Sequence, residues 1–267
     1  MNNLHRHLAP ISSAAWAEIE EEASRTIRRN LAGRRVVDTS EPQGLSLAAV
    51  GTGRASKISS PQNGIYAVKR EVMPLVELRV PFTLSREEID AVERGSQDSD
   101  WQPVKDAAQA IAFAEDRAIF NGYDAAGIKG IREVSSNQKL KLPRSVQDYP
   151  RVIAEALNEL RLSGVNGPYS IVLGAQAFLA VNSTDDDGYP IRKHIEKIID
   201  GQLIWAPAIE GAFIVSMRGG DLALDIGQDF SIGYLGHTAD TVELYIQESF
   251  IFRVLTTEAV VAIDPAT

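Results

Sequence analysis

Four histidines, thirty-six carboxylates and no cysteine are what this 267-residue chain offers to chemistry. His5 and His7 lie in the N-terminal segment. His194 and His237 have no second ligand-type residue at a metal-binding spacing. The runs H-E-x-x-H, G-x-x-x-x-G-K-[ST] and G-x-S-x-G do not occur. Gly51-Thr52-Gly53 opens like a dinucleotide loop, then continues as Arg54-Ala55-Ser56 without a third glycine, so it reads as a turn. Asp185-Asp186-Asp187-Gly188 gathers negative charge but lacks the alternate-position ligands and distal glutamate of a calcium loop. It reads as an exposed acidic turn. Repeated about an axis in a ring of subunits, the same turn would bias a pore toward cations. A catalytic carboxylate pair is made in space, so spacing neither reveals nor excludes one. No catalytic residue, metal site or cofactor of the chain's own is expected.

The elements that position these residues are written in the hydrophobic pattern. From Val76 the chain alternates, with Val76, Leu78, Val80, Phe82 and Leu84 on one face and Glu77, Arg79 and Thr83 on the other. Fully extended, the run Ile65–Leu84 would span roughly 65 Å. A compact chain of this length has a radius of gyration of about 18 Å. The run is therefore expected to leave the body as an arm that packs on a neighbour, with Pro74 and Pro81 barred from central ladder positions. Residues 39–64, rich in Gly, Ser and Pro, are expected to return as a ribbon, Leu45–Val50 against Ile65–Val72. A lone ribbon is marginal in water and needs a surface to lie on.

A first helix is predicted over Ser13–Ala32, with Trp16, Ile19, Ala23, Ile27 and Leu31 in one apolar stripe and Gly33 as its stop. That stripe either packs wholly on the core or leaves part of itself open as a groove. The basic stretch Arg25–Arg35 follows Glu18, Glu20, Glu21 and Glu22, the order that suits a helix dipole. A second helix is predicted over Pro103–Phe120, its face made by Val104, Ala107, Ala108, Ile111, Ala114, Ala118 and Ile119. A third is expected to start at Ser145, capped by its hydroxyl with Asp148 three residues on. Tyr169–Leu173 reads as a buried strand, with Ala175–Val181 and Ile191–Ile199 as helices. Ala212–Met217 and Leu222–Ile226 read as strands joined through Arg218-Gly219-Gly220-Asp221, and Thr241–Val254 as a long alternating strand.

Composition narrows the class. Hydrophobic content of 44% and charged content of 24% are those of a folded domain. A net charge of −9 without a Lys/Arg stripe argues against nucleic acid as partner. No stretch approaches a membrane span, and MNNLHRHLAP lacks the apolar core of a signal peptide.

Several short motifs stand in a fixed order. They are Leu8–Pro10 (L-A-P), Gly33–Asp38 (G-R-R-V-V-D), Pro81–Leu84 (P-F-T-L), Glu88–Gly95 (E-I-D-x-V-E-R-G) and Glu115–Phe120 (E-D-R-x-I-F). Gly127–Ile131, Gly164–Tyr169, Gly188–Arg192, Arg218–Asp221 and Asp229–Tyr234 follow. Together they resemble the encapsulins, linocin-type bacterial nanocompartment shell proteins of family 1. The resemblance implies an α+β, tailed-phage major capsid protein fold of the Hong Kong 97 type. It divides the chain into an N-terminal helix and start of the peripheral domain (1–48), an extended loop (49–73) and a peripheral domain with a spine helix (74–133). An axial domain (134–222) and a return to the peripheral domain (223–267) complete it. It implies a non-enzymatic shell subunit, itself its main partner, closing into an icosahedron on the order of sixty copies. It also implies a bacterial cytoplasmic location and cargo carried in by a C-terminal targeting peptide, the cargo being a dye-decolorizing peroxidase or a ferritin-like protein. By position the docking groove would use Ile27, Leu31, Arg34 and Asp38 with Asp229, Phe230 and Ile232 opposite. An Arg34–Asp38 ion pair closing the helix end is the other reading of those two residues. The pore loop would be Asp185, Asp186, Asp187, Gly188 and Tyr189. Glu87 stands where some members carry a tryptophan linked to flavin, so no flavin is expected. A phage capsid subunit is the alternative of the same fold, and a soluble enzyme the third class.

Overall fold

Ser12 starts the first helix by accepting a hydrogen bond from the Ala15 backbone N–H at 3.1 Å, as an N-cap does. In this computed structural model, which describes residues 3–266, helix α1 spans Ser13–Asn30. Met1, Asn2 and Thr267 belong to the first and last expected segments and lie outside the described residues. Strand β1 (Asp38–Thr39) follows, then β2 (Ala49–Lys57), β3 (Val68–Pro74) and β4 (Val76–Ser85). Helices α2 (Arg86–Glu93), α3 (Gln102–Phe120) and α4 (Ile131–Val134) come next. The chain continues through β5 (Leu140–Lys141), α5 (Tyr149–Leu162), β6 (Tyr169–Gly174) and α6 (Ala175–Ser183). Then come β7 (Asp185–Asp186), β8 (Tyr189–Pro190), α7 (Ile191–Ile198), β9 (Leu203–Ala206) and β10 (Ala212–Ser216). The last strands are β11 (Leu222–Ile226), β12 (Ser231–His237), β13 (Thr241–Val254) and β14 (Val260–Asp264).

Strand β13 organises the first sheet. Along one edge it pairs antiparallel with β4, from Thr241 opposite Ser85 to Phe250 opposite Val76. Along the other it pairs with β12 and then β11, and β11 continues in parallel to β1. The second sheet has the order β5-β14-β10-β6-β9. Its residues alternate between two cores, as a period of two requires. Ile171, Leu173, Ile214 and Val261 face a cluster with Val152, Ile153 and Ile195 of α5 and α7. Val172, Phe213, Val215 and Ala262 face Ile119 and Phe120 of α3 and Phe250 and Phe252 of the first sheet. The end of α3 is thus the joint between the sheets.

The structure changes five expectations. The run Ile65–Leu84 is not one arm: Val76–Ser85 is an edge strand of its own sheet, and only β2 and β3 form a free-standing ribbon. The ribbon pairs Ala49–Lys57 with Val68–Pro74, several residues from the expected register. Pro81 fits because β4 pairs on one side only, leaving its missing N–H to the open edge. Ala212–Ser216 and Leu222–Ile226 are not a hairpin; the Arg218–Asp221 link carries the chain from one sheet to the other. Ser145 caps nothing, since its hydroxyl bonds Gln147 and α5 starts at Tyr149 with Pro150 in its first turn. Finally, residues 223–267 do not all return to the first sheet, because β14 pairs with β10 and β5 in the second.

A close backbone approach fixes the chain after the spine helix. A Cβ on Gly130 would stand 2.1 Å from Gly122 N and 2.3 Å from Asn121 C, atoms that have nowhere to go. Gly130→Ala is expected to cost roughly 2–4 kcal/mol, read as a lowered thermal midpoint. Gly164→Ala, strained at φ +75° but with open space around it, should cost only about 1 kcal/mol.

Candidate functional site

Helix α1 buries Ile19, Ala23, Ile27 and Leu31 along one stripe, and only its inner part is fully covered. A groove of about 600 Å³ runs beside it, walled by Ala23 and Ile27 of the helix, Leu31 at its end, Phe230 just before β12, and Ile232 and Ile246 of the sheet. The stripe is thus partly core and partly groove wall. Two carboxylates on α3 shape the end of the helix. Asp116 accepts hydrogen bonds from the backbone N–H of Ala32 and Gly33 at 2.9 and 2.8 Å. Gly33 lies so close to α3 that a Cβ there would be 2.5 Å from Ile119 Cδ1. This clamp turns the chain and points Arg34 back under the groove.

Arg34 is the centre of the site's electrostatics. Its Nε and Nη2 donate to the Glu115 carboxylate at 2.9 and 2.6 Å, a two-pronged pair. Its Nη1 donates to Asp229 Oδ1 at 2.8 Å, and Glu248 Oε2 lies 3.5 Å from Nη2. The guanidinium carbon sits 4.5 Å from the centroid of the Phe230 ring, a cation–π contact. Burial works against the Arg34 charge, but the hydrogen bond and charge of Glu115, then Asp229, raise its pKa above the usual arginine value.

Glu115, Asp116 and Glu248 are all essentially unexposed, so one cation faces more carboxylates than it can neutralise. Burial first, then the charge of Glu115, holds Glu248 well above the ordinary glutamate range. Glu248 Oε1 finds no protein donor, and Glu248 is in hydrogen-bonding contact with Glu115. A proton retained on Glu248 satisfies that pair. Burial also pushes Asp116 up to about 7, against the two backbone N–H groups that favour its charged form.

Six of the seven expected groove residues converge here: Ile27, Leu31, Arg34, Asp229, Phe230 and Ile232. Asp38 does not. The turn after α1 carries it into β1, where its carboxylate accepts the Gly220 backbone N–H at 2.6 Å in a separate hollow beside Ser216 and Leu222. The Arg34–Asp38 ion pair is absent too, since Arg34 is taken by Glu115 and Asp229. Sequence reasoning missed Glu115 and Glu248, although Glu115 opens the E-D-R-x-I-F motif. It also missed Leu4 and Arg6, whose place in the groove only the folded chain reveals.

Asp185 and Asp186 pair with Pro190 and Tyr189 across a two-residue turn, Asp187 (φ 48°) and Gly188 (φ 81°). Both φ values are positive, as the tightest hairpin turn requires, and Asp-Gly supplies them most readily. The Tyr189 ring lies 4.6 Å from that of His194. Among the described residues, no group of three His, Cys, Asp or Glu could hold a metal ion. Glu87 is exposed and ion-pairs with Arg94 at 3.1 Å.

Two sheets joined by a spine helix, with a projecting ribbon, are the fold that capsid-like shell proteins share with this chain. The virus-like particle from Pyrococcus furiosus shares the fold with a TM-score of 0.63 over 92% of this chain and 98% of that chain, at 18% identity. The Gordonia phage Cozz structure gives 0.55 over 88% and 86%, at 17% identity. The fold is therefore α+β of the Hong Kong 97 capsid type. Sequence then gives the family. The Linocin_M18 family, described as encapsulating protein for peroxidase, matches residues 1–251. The Type 1 encapsulin shell protein of Rhodococcus erythropolis is 61% identical, over 98% of this chain and 100% of its own. That of Mycobacterium tuberculosis is 58% identical, over 99% and 100%. This chain belongs to the encapsulin shell-protein family and is a structural subunit, not an enzyme. Its relation to phage capsids is one of fold. Among the described residues no helix is long and apolar enough to cross a membrane.

The raised carboxyl pKa at Asp116 gives the fold an unusual pH profile. Between the unfolded value of 3.8 and about 7 the folded chain keeps a proton that the unfolded chain releases. Asp116 therefore favours folding as pH falls from about 8 to 5.5, by up to roughly 2 kcal/mol, and the gain disappears as pH rises through its folded value. The thermal midpoint should be higher near pH 5.5 than near pH 8, with the difference reduced in Asp116→Asn. An equal pH slope in the variant would remove Asp116 as the cause.

Proposed function

We propose that this chain is the repeating tile of a closed icosahedral shell, on the order of sixty copies in its smallest form. The shell takes up cargo proteins through a short C-terminal peptide seated in the groove beside α1. The observation that carries this reading is the groove itself. Its walls are largely apolar, and among the described residues the Arg28 and Arg35 side chains that line it form no ion pair, the Arg35 guanidinium donating to Gln202. An extended peptide with aliphatic side chains and a carboxylate matches that lining in shape and charge. The family's description as encapsulating protein for peroxidase supports a peroxidase as cargo, with a ferritin-like protein as the second class. Haem or iron chemistry would then belong to the cargo. The location is the bacterial cytoplasm, with neither membrane nor nucleic acid as partner.

In this reading residues 1–48 and 74–133 build the peripheral domain, 49–73 the extended loop and 134–222 the axial domain, and the chain then returns to the peripheral domain except for β14, which joins the axial sheet. The Asp185–Tyr189 turn lines a pore and favours cations. The ribbon exposes Ile58, Ile65, Tyr66, Val68 and Val72, which is apolar surface suited to a neighbouring tile.

Replacing Ile27 and Leu31 together by aspartate is expected to leave shells intact by electron microscopy and to abolish cargo co-purification. Undiminished loading would remove the groove from the docking role. Deleting Thr52–Gly64 is expected to prevent closure, so that particles disappear from size-exclusion chromatography. Shells of normal size from that variant would show the ribbon to be dispensable.

A further inference from the structure

The N-terminal segment fastens to both walls of the groove. The Arg6 guanidinium lies 4.1 Å over the Trp16 ring and 2.5 Å from Glu20 Oε1, both on α1. Two residues earlier, the Leu4 carbonyl accepts the Tyr234 N–H of β12 at 2.8 Å. Asn3 Nδ2 donates to Gln228 Oε1 at 3.2 Å, next to the start of β12. Leu4 and Arg6 both line the groove.

These contacts give the groove a direction. Along α1 the lining runs from Glu20 through Ile27 to Leu31, and Arg34 follows. Along the opposite wall it runs from Asp229, paired with Arg34, to Ile232, with Tyr234 under Leu4. The walls are antiparallel. The Arg34–Asp229 pair marks one end, and the crossing of residues 4–6 marks the other. Glu20 to Leu31 is about 16 Å of helix rise, room for roughly five residues of extended chain.

We propose that Arg6 is the latch that closes this end of the groove and sets the length of peptide it accepts. The occupant is an extended segment of about five residues that ends or turns at Arg6, with a carboxylate toward Arg28 and Arg35. This rests on the reading that the groove takes a peptide. The latch is built to yield: an ion pair with Arg6 29% and Glu20 50% exposed and a single cation–π contact are each modest.

Two probes separate the latch from the peptide reading. The first is 1-anilinonaphthalene-8-sulfonate, an apolar anion, titrated onto assembled shells. Arg6→Ala is expected to raise bound-dye fluorescence about three-fold or more. Adding Ile27→Asp with Leu31→Asp should cancel the rise and so place the dye in the groove. Glu20→Gln, which keeps the stacking on Trp16, should give a smaller rise and serves if Arg6→Ala fails to assemble. No rise in either variant overturns the latch. The second probe is a series of fluorescein-labelled Leu/Ser-alternating peptides of about four to ten residues with free C-terminal carboxylates. Wild-type affinity should stop increasing near five residues and should keep increasing in Arg6→Ala. A plateau at the same length in both overturns the latch. Absence of binding at every length in both overturns the peptide reading instead, leaving the dye result to judge the latch.

Discussion

One largely buried guanidinium joins the parts of this subunit that meet at the groove. Arg34 comes from the turn after α1 and reaches Glu115 on the spine helix, Asp229 before β12 and Glu248 on β13. Only an arginine can hold a carboxylate with two parallel bonds, donate to a second and still lay its flat face on Phe230. Without that cation, Glu115 would be a fully buried anion with no counter-charge, which typically costs 3–5 kcal/mol. The surplus of acid falls on Glu248, whose pKa burial and then the charge of Glu115 push well above the ordinary glutamate range. The groove is shaped by this arrangement: Leu31 and Phe230 lie where the ends of the Arg34 contacts put them.

The second constraint is the join between the sheets. Ile119 and Phe120 end α3 inside the core shared by both, where Phe120 and Phe213 lie ring to ring at 5.0 Å. The chain crosses between sheets at Arg218–Asp221, and the crossing is held by the Arg218–Asp221 ion pair at 2.8 Å. The hydrogen bond from Arg218 holds Asp221 below the ordinary aspartate range. Asp221 also uses its backbone carbonyl to accept from Leu255 and Thr256 beyond the end of β13. Two sheets built from interleaved strands of one chain are therefore tied together by shared packing and by this crossing.

How legible this was in the sequence depended on whether the signal was local. The α1 stripe, the alternation over Val76–Leu84 and the Asp187-Gly188 turn each follow from neighbours a few residues apart, and each forms as read. Glu115 and Asp116 carry no such mark, because a charged pair on a helix looks the same whether solvated or buried. Their partners are 81 to 84 residues away. The glycines of Arg218–Asp221 announce a turn, but a turn says nothing about which strands pair across it. Asp38 failed because a position carried over from a motif ignores the turn at Gly33–Arg35 that swings it into another strand. Arg6 was invisible for the opposite reason: a short N-terminal segment has no periodicity until it finds Trp16 and Tyr234.

Two surfaces are left incomplete by this fold, and they are incomplete in different ways. The ribbon tip exposes apolar side chains on only two strands, below what sustains a sheet in water. Its root is fixed, because Val50, Met73, Leu75 and Val76 pack on the shared core and β3 runs directly into the register of β4 with β13. A rigid root aims the tip in one direction, so a stabilising surface has to recur at one fixed position relative to each subunit. Identical copies related by symmetry meet that condition and chance partners do not. The groove makes no such demand. Its walls are already held by Arg34 at one end and by residues 4–6 at the other, so it is formed before anything fills it. A preformed site loses little order on binding, which suits a short segment with few contacts to offer.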